Sequence, residues 1–341
     1  MEETIPARIA GRSVWRKADF AGEAQWLTVL SDEETDEIDQ ALSRLDTTDT
    51  RGEVIDQQRF PLPRLSARLA AVAEEVVRGR GFHVIRGIPV DRYPVDRLRC
   101  LFFGIGSHFG TPVVQTREHD MMIDVRDENG TSSKRQRGYH SVLTLPFHTD
   151  GACIVGLLCI NQAGSGGESL LVSAGALFNA IAEQSPELIE PLMAGFPIHR
   201  RGCEPVGEPP VSPWKLPVFS FTNGNLNCVY DYQASIWGEE AFRGRVTELQ
   251  KRALDCFDRL TLDPQFQVSM HLKPGDIQLV NNFSVLHSRT SFQNAPDQGR
   301  VRHLLRLWLD VPGNERYAIN KLHLYTSSPL PAGLVPTSSA A

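Results

Sequence analysis

One short segment of the sequence contains two side chains with the chemistry of metal ligands. In Leu145–Asp150 the imidazole of His148 and the carboxylate of Asp150 are two positions apart. Successive side chains of a β-strand point to opposite faces, so on a strand these two would share a face and could bind one metal ion. Two histidines and one carboxylate, with the other positions open, form the ligand set of non-haem iron(II) oxygenases. The pair therefore predicts a metal site that requires a second histidine.

A lone H-x-D tripeptide arises often by chance and then marks an ordinary surface pair. The prediction of a metal site therefore depends on a second histidine elsewhere in the chain. His287 follows Pro274-Gly275, a dipeptide that fits a type II turn. Alternating apolar residues on both sides of that turn predict a hairpin that ends near His287. His119 and His140 are nearer to His148 in sequence, but neither is followed by an arginine on a predicted strand. We therefore prefer His287 as the third ligand.

Two of the arginines that follow this third histidine lie on one predicted strand. The segment Val301–Trp308 alternates as a strand does and places Arg302 and Arg306 on one face. A buried guanidinium is costly unless an anion pairs with it. The planar fork of arginine can bond both oxygens of a carboxylate, so this face predicts a site for a carboxylate group.

Taken together, these features resemble the Fe(II)/2-oxoglutarate-dependent dioxygenases of the taurine dioxygenase and clavaminate synthase-like group, the TauD/TfdA family. The resemblance covers roughly residues 60–310. Its motifs are His148-x-Asp150, His287 with an arginine fifteen residues later, Gly166-Gly167-Glu168-Ser169, Lys273-Pro274-Gly275-Asp276, and His287-x-Arg289-x-x-Phe292. The combination is specific, although each piece by itself is not.

The resemblance implies a role for each of these site residues. His148, Asp150 and His287 would hold Fe(II). Arg302 would bind the distal carboxylate of 2-oxoglutarate, and Ser169 would assist at the position where relatives have threonine or serine. With O2, the cosubstrate would be converted to succinate and CO2 while an unactivated C–H bond is oxidised. Related halogenases have a small residue in place of the carboxylate ligand, so the presence of an aspartate argues against chlorination.

The substrate is predicted only as a chemical class. Arg306, four residues beyond Arg302, would face the substrate or brace Arg302. Together with the charged residues of 117–137, among them Arg126, it suits a small anionic or zwitterionic molecule of the amino-acid or organic-acid type. Tyr230 could line the pocket, but aromatic residues on strands more often belong to the core. Hydroxylation is the expected outcome, and desaturation or ring formation in secondary metabolism stays open.

Residues 115–140 form a polar stretch that leads into the ligand strand. They could be a solvated loop or an active-site lid, since long irregular loops within compact domains are often functional. Two other functional classes also remain. A zinc hydrolase could use the same three ligands, but it would need a general base and would have no use for Arg302. A non-catalytic jelly-roll protein could have kept a vestigial site, but all three ligands and the arginine are present.

Composition excludes several other functions. The formal net charge of −6 argues against a nucleic-acid-binding surface. Residues 1–30 contain no apolar signal segment, and no stretch is long enough to span a membrane, so a cytoplasmic protein is expected. The six cysteines show no C-x-x-C pairing, which indicates reduced thiols rather than a zinc finger. The sequence predicts a small-molecule substrate and does not indicate an oligomeric state.

Short alternating strands with a few long helices outside them predict a mainly β fold, a double-sheet jelly roll. The resemblance implies the same architecture, the double-stranded β-helix of clavaminate synthase-like proteins. We expect one domain over residues 1–326, with a helical part at 31–110, a jelly-roll core at about 82–310 and a helical insert at about 239–262. Other predicted features are a capping box at Ser31–Glu34, a helix cap at Ser173, an insert or loop at 200–216, a hairpin turn at Asn223-Gly224 and a flexible tail at 327–341.

Overall fold

The computed structural model describes residues 6–45, 55–116, 119–127, 141–199, 207, 211–231 and 246–311. These residues form six α-helices: α1 (Asp32–Ser43), α2 (Ser66–Val77), α3 (Val95–Gly106), α4 (Ala174–Gln184), α5 (Ile189–Ala194) and α6 (Glu248–Thr261). They also form seventeen strands: β1 (Leu27–Val29), β2 (Phe82–Arg86), β3 (Thr111–Pro112), β4 (Met122–Arg126), β5 (Leu145–His148), β6 (Ile154–Asn161), β7 (Ser165–Gly166), β8 (Ser169–Ser173), β9 (Phe196–His199), β10 (Val211–Leu216), β11 (Phe219–Thr222), β12 (Asn225–Cys228), β13 (Val268–Met270), β14 (Asp276–Asn281), β15 (Val285–Arg289), β16 (Phe292–Gln293) and β17 (His303–Asp310). Among the described residues, no helix combines the length and apolar composition needed to cross a bilayer.

Two sheets form the centre of the molecule. The larger has the order β1-β2-β14-β6-β17-β3, with β4 also paired to β17, and the smaller has the order β13-β8-β15-β5. The pairings are antiparallel except that of β1 with β2. Strands far apart in sequence are neighbours in both sheets. This is the predicted jelly roll, the double-stranded β-helix.

Three apolar clusters fix the layers. One cluster lies between the two sheets. Another joins α1–α3 to the outer face of the larger sheet. The last joins α4–α6 to the outer face of the smaller sheet. Strand β17 shows how alternation divides side chains among them. Leu304 and Trp308 belong to the cluster between the sheets, whereas Leu305 and Leu307 pack against the helices. Arg302 and Arg306 therefore point between the sheets, on one face as predicted.

Local polar groups determine where the helices begin. Ser31 caps α1 with the predicted capping box, and Ser173 accepts a hydrogen bond from the Ala176 N–H at the start of α4. Part of the helix predicted over about 239–262, residues 239–245, lies outside the described residues. The described helix α6 begins at Glu248, directly after Thr247, whose backbone is extended and whose side chain caps the helix, and Thr247 and Gln250 form a capping box.

The Pro274-Gly275 turn is confirmed, but the hairpin predicted around it is wrong. Gly275 has a φ of +86°, and the Asp276 N–H donates to the Lys273 carbonyl at 2.9 Å. However, β13 pairs with β8 in the smaller sheet, whereas β14 pairs with β2 and β6 in the larger one. The chain thus crosses between sheets at this turn. Both arrangements bury one face of each strand, so the alternating pattern did not distinguish them.

Two further segments differ from the prediction. Residues 211–216, predicted as part of a loop or insert, form β10 and pair with β9. Residues 122–126, predicted as part of a loop or lid, form β4 and pair with β17. The hairpin at Asn223-Gly224 is confirmed by the pairing of β11 with β12 and by positive φ at both turn residues. Residues 117–118, 128–140 and the predicted tail at 327–341 lie outside the described residues.

The buried His83 predicts a loss of stability in acid. Its Nε2 lies 2.9 Å from Thr28 Oγ1, away from any other histidine or acid that could complete a metal site among the described residues. Burial, aided by the charge of Arg80, lowers the pKa of His83 to about 4. The folded state therefore binds fewer protons than the unfolded state between about pH 4 and pH 6.5, and stability falls as the pH falls through this window.

We expect His83→Gln to remove part of this pH dependence. The wild type should lose about 2 kcal/mol more unfolding free energy than the variant between pH 7 and pH 5, measured by urea denaturation. Glutamine can keep a bond to Thr28, so the comparison isolates the titration. Equal losses in the two proteins would show that His83 does not titrate differently on unfolding.

Candidate metal centre

The three predicted metal ligands lie together at one end of the smaller sheet. His148 on β5 and His287 on β15 are direct cross-strand partners, and their ring centroids are 4.3 Å apart. Asp150 Oδ1 is 3.9 Å from His148 Nε2, and its Oδ2 is 3.5 Å from His287 Nε2. One ligand atom from each residue lies within 4.8 Å of the others. Within the described part of the chain, no other group of three or more such residues could hold a metal ion.

Backbone bonds position Asp150 just beyond the end of β5. Its N–H donates to Asn282 Oδ1 at 3.0 Å, and Asn282 Nδ2 donates to the Ala152 carbonyl at 2.9 Å. On the other side, the Thr149 N–H donates to the Tyr230 carbonyl at 2.9 Å. The ligand segment is thus held between the β14–β15 connection and the segment after β12. The sequence reasoning missed Asn282, whose only local signal is an amide directly after β14, in the short connection to the strand of His287.

The protonation states suit a metal site. His148 Nδ1 lies 2.8 Å from the Pro146 carbonyl, which can only accept, so Nδ1 holds the proton and Nε2 keeps its lone pair. Burial, together with the charge of His287, lowers the pKa of His148 to about 4. Burial opposes ionisation of Asp150, but Arg306 and both histidines together hold the pKa of this carboxyl well below its usual range. A neutral imidazole and an ionised carboxylate are the forms that bind metal.

Arg306 contacts the cluster directly. Its Nη1 is 3.4 Å from Asp150 Oδ1, its Nε donates to Gln115 Oε1 at 2.9 Å, and its guanidinium lies over the Trp308 ring at 4.8 Å. Gln115 also donates through Nε2 to the Arg306 carbonyl at 3.0 Å. Gln115, another residue that the sequence reasoning missed, therefore fixes both the side chain and the backbone of Arg306.

Arg302 and Ser169 also point into the space between the two sheets. Arg302 is 7% exposed, and its Nη1 is buried with no hydrogen-bond partner in the described structure. Burial lowers the pKa of Arg302 to about 10. A Cβ atom on Gly167 would lie 3.2 Å from Arg302 Nε, so glycine gives the guanidinium its space. Ser169 is buried on β8 and donates to Gln278 Oε1 at 2.9 Å, which leaves its oxygen able to accept.

The other two predicted substrate residues do not point toward the cluster. Arg126 is exposed and lies opposite His303 in the β4–β17 register, so it faces away from Arg302 and Arg306. Tyr230 is 1% exposed, and its ring packs 4.4 Å from that of Phe257, among the helices behind the smaller sheet. The structure therefore does not bring either side chain to the metal cluster. The register of β4 against β17 places Arg126, and the packing against Phe257 places Tyr230.

Comparisons with known proteins agree with this architecture. The family model "Taurine catabolism dioxygenase TauD, TfdA family" matches residues 34–308. FR-33289 synthase of Streptomyces rubellomurinus is 33% identical over 322 residues, which are 93% of this chain and 94% of that protein. A taurine hydroxylase-like protein of Stachybotrys chartarum is 28% identical over 89% of this chain and 80% of its own length.

A solved structure of asparagine oxygenase, in complex with Fe(II), (2S,3S)-3-hydroxyasparagine and succinate, has the same fold. It superposes with a TM-score of 0.65 at 18% identity and covers 85% of this chain and 98% of its own. The two sheets and the helices outside them are therefore an arrangement already seen around a bound iron.

Proposed function

Because the chain belongs to the taurine catabolism dioxygenase TauD, TfdA family, we propose that it uses iron(II), 2-oxoglutarate and O2 to oxidise an unactivated C–H bond of a small anionic or zwitterionic molecule. Hydroxylation is the expected outcome. Desaturation or ring formation by the same cofactors is the alternative, because the outcome depends on the substrate. The observation that carries the proposal is the buried Arg302, which points between the same two sheets as a complete cluster of two histidines and one aspartate.

The residues fit both cofactors. His148, Asp150 and His287 would hold the iron through two imidazole nitrogens and one carboxylate oxygen, the donor set of non-haem iron oxygenases. Arg302 would bind the distal carboxylate of 2-oxoglutarate, since its buried Nη1 has no acceptor in the described structure. Ser169 would assist through its hydroxyl oxygen. When bound, iron, 2-oxoglutarate and O2 supply the oxidising power, and the keto acid leaves as succinate and CO2.

The chain itself contributes orientation and a dry interior. Leu304 and Trp308 share the inner face of β17 with Arg306, and with Arg302 directly before the strand; both belong to the apolar cluster between the sheets. Water excluded from this space would strengthen the attraction between each guanidinium and an anion. The rigid strand also fixes the spacing of the two guanidiniums, which positions the bound molecules relative to the metal ligands.

Arg306 supports the proposed substrate class. It lies beside Asp150 at the cluster, where an anionic group of a substrate could reach it. Two of the compared proteins carry names that refer to taurine and asparagine, which are both zwitterions. A zinc hydrolase, an alternative of another functional class, would have no use for the buried Arg302. The described cysteines are present as thiols, which supports a reducing, cytoplasmic location.

Anaerobic reconstitution tests the proposed function. Wild-type protein with Fe(II) and 2-oxoglutarate should show the weak visible charge-transfer band of an iron-bound keto acid. His287→Ala should lose the band, and Arg302→Ala should weaken it at equal 2-oxoglutarate concentration. His303→Ala is the matched control, because this histidine lies on the outer face of β17 and bonds Asp124 at 2.7 Å. Its band should match that of the wild type. A wild type that shows no band but holds zinc tightly would instead indicate a hydrolase.

A further inference from the structure

A second buried arginine lies on the strand of the distal histidine. Arg289 is two residues after His287 on β15, and β15 pairs with β8 without a break, so both side chains point between the sheets. Arg289 is 5% exposed. Its Nη2 donates to the carbonyls of Ser141, at 2.6 Å, and of Leu143. Its Nε and Nη1 are buried and have no partner in the structure as described.

Arg289 and Arg302 contact one aromatic ring. The guanidinium carbon of Arg289 lies 4.9 Å from the centroid of Phe292, and that of Arg302 lies 5.2 Å from it. Such cation–π contacts stabilise a buried guanidinium but do not neutralise it. Burial, with the charge of Arg302, lowers the pKa of Arg289 to about 9. The two side chains thus form a pair of buried positive charges that repel each other.

No acid compensates these charges in the part of the chain that the structure describes. Neither arginine forms an ion pair there with Asp or Glu. Glu168 directly follows Gly167, the glycine that lies beside Arg302. Its carboxylate accepts a hydrogen bond from the Thr290 hydroxyl, and its side chain is about a third exposed. Two buried, uncompensated cations are unstable without an anion. Three buried donors without acceptors, on Arg289 and Arg302, match the several acceptor sites of one carboxylate.

We propose that Arg289 is a second binding residue for the distal carboxylate of 2-oxoglutarate, which it and Arg302 hold together over the Phe292 ring. This inference rests on the proposed function. It also gives Arg289 a connection to the metal centre, because its bonds to Ser141 and Leu143 fix the segment that leads into β5 and His148. Arg289 therefore joins the cosubstrate site to the ligand strand.

Binding calorimetry on the Fe(II)-loaded, oxygen-free protein tests this. The probes are 2-oxoglutarate and 2-oxopentanoate, a keto acid of equal length with a methyl group in place of the distal carboxylate. Arg289→Gln should weaken 2-oxoglutarate binding about 10- to 100-fold, the range for charge-assisted hydrogen bonds. Binding of 2-oxopentanoate should change less than about threefold. Arg99→Gln, which removes an ion pair with Asp124 outside the site, should leave both affinities unchanged.

The outcomes separate the alternatives. If Arg289 only braced Ser141 and Leu143, its loss would weaken both keto acids equally, and equal weakening overturns the inference. Unchanged 2-oxoglutarate affinity overturns it as well. If Arg289→Gln fails to fold, Arg289→Lys serves instead. An ammonium group cannot replace the fork at both the carbonyls and the carboxylate, so selectivity for 2-oxoglutarate should drop at least about fivefold. A wild type that binds no 2-oxoglutarate refutes the proposed function itself.

Discussion

Replacing Asp150 by asparagine should lower iron affinity about 10²- to 10³-fold and reduce 2-oxoglutarate turnover by at least as much. Asp150 is the carboxylate of the cluster, 3.5 Å from His287 Nε2 and 3.4 Å from Arg306 Nη1. Asparagine keeps the size of the side chain but removes its charge, which leaves the partly buried Arg306 beside a neutral amide. A neutral amide is a weaker ligand for a divalent cation than an ionised carboxylate, and the expected change in affinity corresponds to about 3–4 kcal/mol of binding free energy.

The measurement is a competition titration of Fe(II) combined with an assay for succinate. Asp124→Asn is the matched control. Asp124 also bonds a histidine and an arginine, His303 and Arg99, but on the outer face of the larger sheet. That variant should lose stability and keep its iron affinity. Unaltered iron binding by Asp150→Asn would show that the aspartate is not a ligand.

Arg302→Gln should raise the KM for 2-oxoglutarate about 100-fold, with a much smaller effect on kcat at saturating cosubstrate. The guanidinium is buried and its Nη1 lacks an acceptor within the described structure, so it is held ready for an anion. A charge-assisted hydrogen bond contributes about 1.5–3 kcal/mol, and the upper end of this range corresponds to the expected change of about 100-fold. Loss of binding that is equal in the ground and transition states changes KM rather than kcat.

Succinate release as a function of 2-oxoglutarate concentration measures this effect. Arg86→Gln is the control, since Arg86 forks onto Asp276 at 2.8 and 2.9 Å as part of the scaffold. It should lower the melting temperature without altering KM. A normal KM in Arg302→Gln, together with a raised KM in Arg306→Gln, would assign the cosubstrate carboxylate to Arg306 instead.

The metal cluster could be predicted from sequence because its information is local. A period of two residues places His148 beside Asp150, and the same period places Arg302 and Arg306 on the inner face of β17. Only the third ligand required a long-range choice. Arg302, which follows His287 on a predicted strand, settled that choice, because neither His119 nor His140 is followed by such an arginine.

Features that depend on strand pairing were not accessible in this way. Alternation shows that a strand has one buried face but not which sheet covers it, so the crossing at Pro274-Gly275 was taken for a hairpin. Arg126 points outward because of its register against His303, which no local pattern encodes. Asn282 and Gln115 act on residues 132 and 191 positions away. Arg289 stood in a recognised motif, but its role depends on Phe292 and Arg302 in space.

The metal centre cannot form until β15 has been synthesised, because β5 and β15 carry its two histidines. His148 and His287 are cross-strand partners separated by about 140 residues of chain, and both arginines of β17 are made later still. At about 5–20 residues per second, a ribosome needs roughly 7–30 s to pass from the first ligand to the last. During that interval β5 lacks its partner β15, and His148 and Asp150 lack the third ligand. Contacts between such distant segments form slowly. Iron capture by all three ligands therefore follows the synthesis of β15 and its pairing with β5.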